Sequence, residues 1–253
     1  MPIGWQIILR RRDDGPLAAT TADRRNLAAC TTRILRDTGL VSFGVAGGHG
    51  HWPGRWTREE AGQAARALQI GLGRVLGHAG ELEPARLRPI HDQRHLSHAF
   101  LYAITQQSHH DVVPDPTYEA TALPDLLGLR VGGGWLRSWV AERLPALRRP
   151  QLVAILGVDP DDVVATELDC LADAAAAAVP LPDLTGRTPV EVLARAAAVQ
   201  VAWDGFRSAA IAEAFALTLR STQRLNGVAV PPELRRAVLG QWRLRSAVRG
   251  PTG

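Results

Sequence analysis

The stretch Gly47-Gly48-His49-Gly50-His51-Trp52 decides how the chain is read. Before it, Leu40 to Ala46 alternates, with Val41, Phe43 and Val45 on one face, and the glycine pair suits the positive φ angles of a tight two-residue hairpin. His49 and His51 then open the returning strand. Side-chain direction alternates along a strand, so the two imidazoles point to the same face and can share one metal ion. Trp52-Pro53-Gly54 is expected to interrupt that strand, because proline supplies no backbone donor to a ladder.

Working outward, Trp5 to Arg10 alternates, with Trp5, Ile7 and Leu9 on one side and Gln6, Ile8 and Arg10 on the other, which predicts a first strand. Leu27, Cys30, Ile34 and Leu35 recur at helical spacing between Thr20-Thr21 and the stop at Gly39. After the hairpin, Thr57-Arg58-Glu59-Glu60 is a capping box, followed by one apolar helical face from Ala61 to Leu76. Arg86 to Ile90 reads as a short edge strand, and a third helix is predicted from about Asp92 to Gln107, burying Leu96, Phe100, Ala103 and Ile104. The order is β-α-β-β-α-β-α. It fits an α+β layer fold, an antiparallel sheet with helices on one face and the histidine strand in its middle.

The third helix carries the partners that a histidine pair needs. In Leu101-Tyr102-Ala103-Ile104-Thr105-Gln106, the phenol and the amide lie one turn apart on one face. A hard divalent ion takes a neutral oxygen donor beside imidazoles and keeps positions open for phosphate. Histidine, spacer, histidine with a downstream Tyr-x-x-x-Gln resembles the single-tyrosine transposases of the HUH superfamily, including the REP-associated tyrosine transposases. The resemblance implies a ferredoxin-like catalytic domain over residues 1–133. It also implies Mg2+ or Mn2+ held by His49, His51 and Gln106, and Tyr102 as the nucleophile that nicks single-stranded or hairpin DNA through a 5′-phosphotyrosine, in a homodimer. The family prefers a bulky apolar residue between its histidines, where this chain has Gly50. Asp115-Pro116, Glu119, Thr121 and Leu123-Pro124-Asp125-Leu126-Leu127-Gly128 resemble the family's tail after the catalytic helix, and Gly132-Gly133-Gly134 marks a boundary.

Beyond it the composition turns toward alanine and helix. Residues 134–184 read as a helical connector ending near Pro180-Leu181-Pro182-Asp183, and 185–253 as a DNA-binding region. There, Thr188 to Trp203 predicts a supporting helix, and Arg207 to Leu225 resembles a helix-turn-helix. Ile211-Ala212 would pack its first helix, Thr218 would cap the second, and Arg220, Gln223 and Arg224 would face duplex DNA. Two positions depart from that motif: Ala216 stands where the turn usually takes glycine, and Thr222 where a buried aliphatic is common. A basic helix from Glu233 to Arg249 closes the chain.

Of the 253 residues 46% are hydrophobic and 21% charged, the balance of a globular chain with a sizeable core. All 29 basic groups are arginines against 25 acidic residues, giving +4, and guanidinium groups suit phosphate. Cys30 and Cys170 form no paired motif, which argues against a disulfide framework or a thiolate zinc site. No apolar run approaches bilayer length, so a cytoplasmic protein without a membrane partner is expected. Two alternatives stand beside the nicking enzyme. One is a DNA-binding protein that has kept the fold and lost the chemistry. The other is a zinc hydrolase built on His91, His95 and His98, which fall on one helical stripe leading to Tyr102.

Overall fold

The computed structural model describes residues 1–110 and 115–249, the side chain of His110 excepted. The chain is α+β. Strands β1 (Gly4–Arg10), β2 (Gly44–Ala46), β3 (His49–Gly54) and β4 (Arg86–Ile90) form an antiparallel sheet in the order β2-β3-β1-β4, so the histidine strand is interior as expected. Eleven α-helices accompany it among the described residues, and the predicted order of the first seven elements is the observed one.

Consecutive residues of β3 show what covers each face. The Trp52 indole donates to Thr31 Oγ1 (3.3 Å) of α1 (Thr21–Ile34), whereas the ring of its neighbour His51 meets Tyr102 of α3 (Gln93–Ile104). Helix α2 (Arg58–Val75) packs beside α1, and Ile7, Leu9, Leu27, Trp52, Leu68 and Leu72 fill the space between them and the sheet. The expectation of helices on one face therefore holds for α1 and α2 alone. Helix α3 crosses the other face, packed chiefly on β3, and Arg10, Arg86 and Arg88 on β1 and β4 stay exposed.

Both N-termini of the first pair carry reciprocal caps. Thr20 accepts from Asp23 N while the Asp23 side chain accepts from Thr20 N, and Thr57 and Glu60 do the same for α2. Such a cap is worth about 1 kcal/mol.

Two local expectations are corrected. Pro53 does not interrupt β3, which runs to Gly54 with Gln6 opposite Pro53 and Trp5 opposite Gly54. The Pro53 carbonyl accepts from Val41 N (3.0 Å), so that side of the residue faces the chain before β2 and not β1. The missing donor thus costs the β1 ladder nothing. The stretch Leu40 to Ala46 is strand only from Gly44. Earlier it contributes buried side chains and one isolated bridge, Leu40 opposite Gly54.

Helices α4 (Leu123–Leu126), α5 (Gly134–Arg143) and α6 (Arg149–Leu156) add Leu136, Val140, Leu152 and Leu156 to the sheet's core. A second, alanine-rich core is built by α7 (Leu171–Ala178), α8 (Pro189–Trp203), α9 (Ser208–Ala214), α10 (Leu219–Asn226) and α11 (Pro232–Arg249). Residues 250–253 of the expected C-terminal unit lie outside the described residues.

The cores are joined by a buried ionic cluster. Arg25 of α1 grips Glu119 with two hydrogen bonds (2.9 and 3.0 Å), and Arg245 of α11 reaches both Glu119 and Asp173 of α7. Arg245 is therefore neither of the things a basic helix suggests, a solvated face or a phosphate track.

Candidate active site

Residues on β1, β3 and β4 that share the α3 face form rows across the sheet. Register sets His51 opposite Ile8 and Ile8 opposite Arg86, His49 opposite Arg10, and Gln6 opposite Arg88. Gly44, on β2 opposite His51, brings α3 down onto this face, for a Cβ built on it would lie 1.6 Å from the Ala103 carbonyl oxygen. Only glycine permits that approach. The helix is thereby seated with Tyr102 over the histidines.

The rings of His49 and His51 are 5.1 Å apart, and the edge-on contact of His51 with Tyr102 is 4.8 Å between centroids. His51 is 6% exposed, while His49 and Tyr102 are half-buried. Helix α3 ends at Ile104, three residues short of the predicted Gln107, and the chain tightens into a 3₁₀ turn over Gln106–His110. Gln106 stays on the site. It is fully buried, with Nε2 donating to the His49 carbonyl (3.4 Å). Its Oε1 is buried without a hydrogen-bond partner among the described residues. An amide oxygen left so costs about 1–3 kcal/mol unless a ligand takes it.

These groups, a pair of imidazoles and an unsatisfied amide oxygen, fit a divalent cation. Among the described residues no cluster of three or more His, Cys, Asp and Glu converges for a metal, so the candidate set owes its third member to an amide. In the competing stripe, His91 and His98 are exposed, and the rings of His91 and His95 are 5.9 Å apart.

Two side chains that the sequence reading passed over belong to the site. Gln6 Nε2 donates to His51 Nδ1 at 2.8 Å. That contact fixes the orientation of the buried imidazole. The available signal was a polar residue on the inward rhythm of β1, beside Ile8 and Arg10. His109 stacks on Tyr102 at 4.6 Å and 19°, so the phenol ring is held between two imidazoles. Its signal was the spacing of seven from Tyr102, continuing the turn that brings in Gln106.

The remaining phenol is accounted for differently. Tyr118 donates to the Val45 carbonyl (2.7 Å), and burial pushes its hydroxyl above the ordinary phenol range even with Arg24 at 4.7 Å over the ring. Tyr102 instead lines a cleft of ≈ 210 Å³ with His49, His51, Arg10, Arg86 and Arg88.

In the C-terminal unit, α9 and α10 are joined by a turn in which Ala216 takes φ +50°, the left-handed conformation for which glycine is the usual residue. Thr218 caps α10, accepting from Ser221 N (3.1 Å). Ile211 and Ala212 are buried in the second core, and Thr222 is buried with its hydroxyl donated to the Thr218 carbonyl (3.1 Å). That bond satisfies a hydroxyl where an aliphatic is usual. Arg220, Gln223 and Arg224 are exposed together on α10.

Compared with known proteins, the chain matches no family model, no curated protein and no solved structure. No helix among the described residues is long and apolar enough to cross a membrane.

Proposed function

We propose that the protein is a metal-dependent nicking and strand-transfer enzyme for single-stranded DNA, of the single-tyrosine HUH type, with Tyr102 as nucleophile. One observation carries the reading: Tyr102, His49 and His51 line one cleft rimmed by arginines, and Gln106, whose Nε2 donates to the His49 carbonyl, keeps beside them a buried Oε1 without a hydrogen-bond partner among the described residues. The strand order β2-β3-β1-β4, with α1 and α2 on one face, agrees with the ferredoxin-like catalytic domain this reading expects.

His49, His51 and Gln106 would hold the Mg2+ or Mn2+ ion, which supplies Lewis-acid polarisation of a phosphodiester. Gln6 fixes the ring of His51, and His109 and His51 confine the phenol. The Tyr102 oxygen attacks phosphorus as the bond to the 3′-oxygen breaks. The phenolic proton passes to solvent and the leaving 3′-oxygen takes one up. A phenol oxygen is both nucleophile and leaving group, so a 3′-hydroxyl can reverse the step and rejoin strands, whereas water would only hydrolyse them.

The C-terminal α9–α10 pair serves as a helix-turn-helix reading duplex DNA through Arg220, Gln223 and Arg224, and the active unit is a homodimer. A strand interrupted after His51 would favour the alternative of a protein that only binds DNA, and β3 is continuous to Gly54.

Incubation with a library of single-stranded oligonucleotides and Mn2+, followed by a denaturing gel, tests the reading. A covalent adduct that disappears in Tyr102→Phe and persists in Tyr118→Phe is expected. Specific binding with no adduct under any condition leaves only a DNA-binding protein, and an adduct lost in Tyr118→Phe alone means the wrong phenol.

A further inference from the structure

We infer that Arg88, Arg86 and Arg10 form a track for the sugar-phosphate backbone of a single DNA strand, which crosses the β1–β4 end of the sheet to reach Tyr102. The inference rests on the proposed function for its substrate class, and on the cross-strand rows for its geometry. His51, Ile8 and Arg86 lie side by side on β3, β1 and β4, with Gln6 and Arg88 in the next row toward Gly4 and His49 and Arg10 in the next row toward the other end. Neighbouring strands are about 4.8 Å apart, so β4 runs roughly 10 Å from the histidine strand, a reach of one to two nucleotides.

Between the cationic and imidazole ends the floor is Ile8, half-buried and without charge, and one cleft takes in Ile8, both histidines and the three arginines. Helix α3 walls the opposite side.

The charges are available. Arg10 pairs with Asp14 (2.5 Å) and Arg86 with Glu83 (3.2 Å), both in exposed positions where such pairs are worth little and a phosphate can replace the carboxylate. Among the described residues no carboxylate lies within ion-pair distance of Arg88. Glu83 lines the same cleft, so it competes with the strand for Arg86.

Anisotropy of a labelled mixed-sequence single-stranded DNA, titrated with the full chain at several salt concentrations, tests the track. Replacing two phosphate contacts in R86A/R88A should lower the slope of log affinity against log salt by about 1.4 and weaken binding about tenfold at low salt. E83Q should act in the opposite sense and tighten binding. The double variant R66A/R74A, with the same loss of charge on exposed α2 across the sheet, should leave the slope nearly unchanged.

An R86A/R88A protein that melts with the wild type and binds with the wild-type slope overturns the track, whether or not an adduct forms. A lowered slope with no phosphotyrosine adduct in the wild type keeps the track and removes the strand-transfer chemistry. Failure of the wild type to bind single strands overturns both.

Discussion

Gly44→Ala tests whether the approach of α3 to β2 sets the site. The added Cβ would stand 1.6 Å from the Ala103 carbonyl oxygen and 2.6 Å from its carbon, whereas real contacts rarely fall below 3.0 Å. The obstacle is backbone, so no rotamer relieves it, and the strand and the helix must part by at least ~1.4 Å, the difference between those two distances. Overpacking of this kind costs about 1–3 kcal/mol, roughly 2–12 °C in melting temperature for a protein of this size. Tyr102 precedes Ala103 and Gln106 follows it by three, so both move with the helix relative to His49 and His51. A displacement near 1 Å costs about 100-fold in rate where reacting groups must align.

Single-turnover adduct formation well below the variant's melting temperature should therefore fall about 100-fold, while affinity for single-stranded DNA changes little, because the arginines sit on β1 and β4. Gly62→Ala, on α2 with nothing within 4 Å of the new methyl, should gain about 0.5–1 kcal/mol and keep full activity. A Gly44→Ala protein that melts with the wild type and forms adduct within threefold of its rate would refute the argument.

Gln6→Leu removes the hydrogen bond to His51 Nδ1 while keeping similar bulk. Manganese affinity by calorimetry should fall about 10–100-fold with the melting temperature of the metal-free protein nearly unchanged, and an equal affinity would take Gln6 out of the site. Glu119→Gln leaves Arg25 and Arg245, both nearly fully buried, with the half-exposed Asp173 as their one remaining shared anion, and should cost about 3–5 kcal/mol in urea unfolding; a loss under 1 kcal/mol would mean that Asp173 alone suffices to join the two cores. Full burial pushes the Asp125 carboxyl up to about 6, outweighing the pull of Arg130. A carboxyl raised in the folded state favours folding below its unfolded value of 3.8, and that contribution is lost as pH rises through about 6, on the order of 3 kcal/mol. Wild type should thus lose more stability than Asp125→Asn between pH 4 and pH 7, and parallel losses would contradict the assignment.

What the sequence made legible follows from the range of the interactions involved. The caps at Thr20, Thr57, Thr188 and Thr218 and the alternation of β1 are set within a few residues, and each appears where its residues place it. Edge strand β4 was readable despite Pro89, since an edge tolerates a missing donor. The pairing of Tyr102 with His51 needed contacts across 51 positions, and only the spacing of residue types suggested it. Gln6, Arg86 and Arg88 stayed hidden because strand order, which makes β1 the neighbour of both β3 and β4, decides that they share a face with the histidines. The Glu119 cluster was equally out of reach, being assembled from α1, α7, α11 and a loop.

The glycine between the histidines, the tryptophan after them and the proline after that look in sequence like three separate faults in a strand. In space they form one packing solution. A Cβ on Gly50 would meet the Trp52 ring at 2.6 Å and Val45 at 2.5 Å, so the indole occupies the volume that a bulky residue at position 50 would fill. Trp52 is fully buried and its nitrogen donates to Thr31, which fastens the strand to α1 on the face away from the site. Pro53 then directs its missing donor away from β1, so the ladder that aligns His51 with Ile8 continues to Gly54. A larger residue at position 50 must evict the indole, and with it the anchor that keeps both imidazoles turned toward α3.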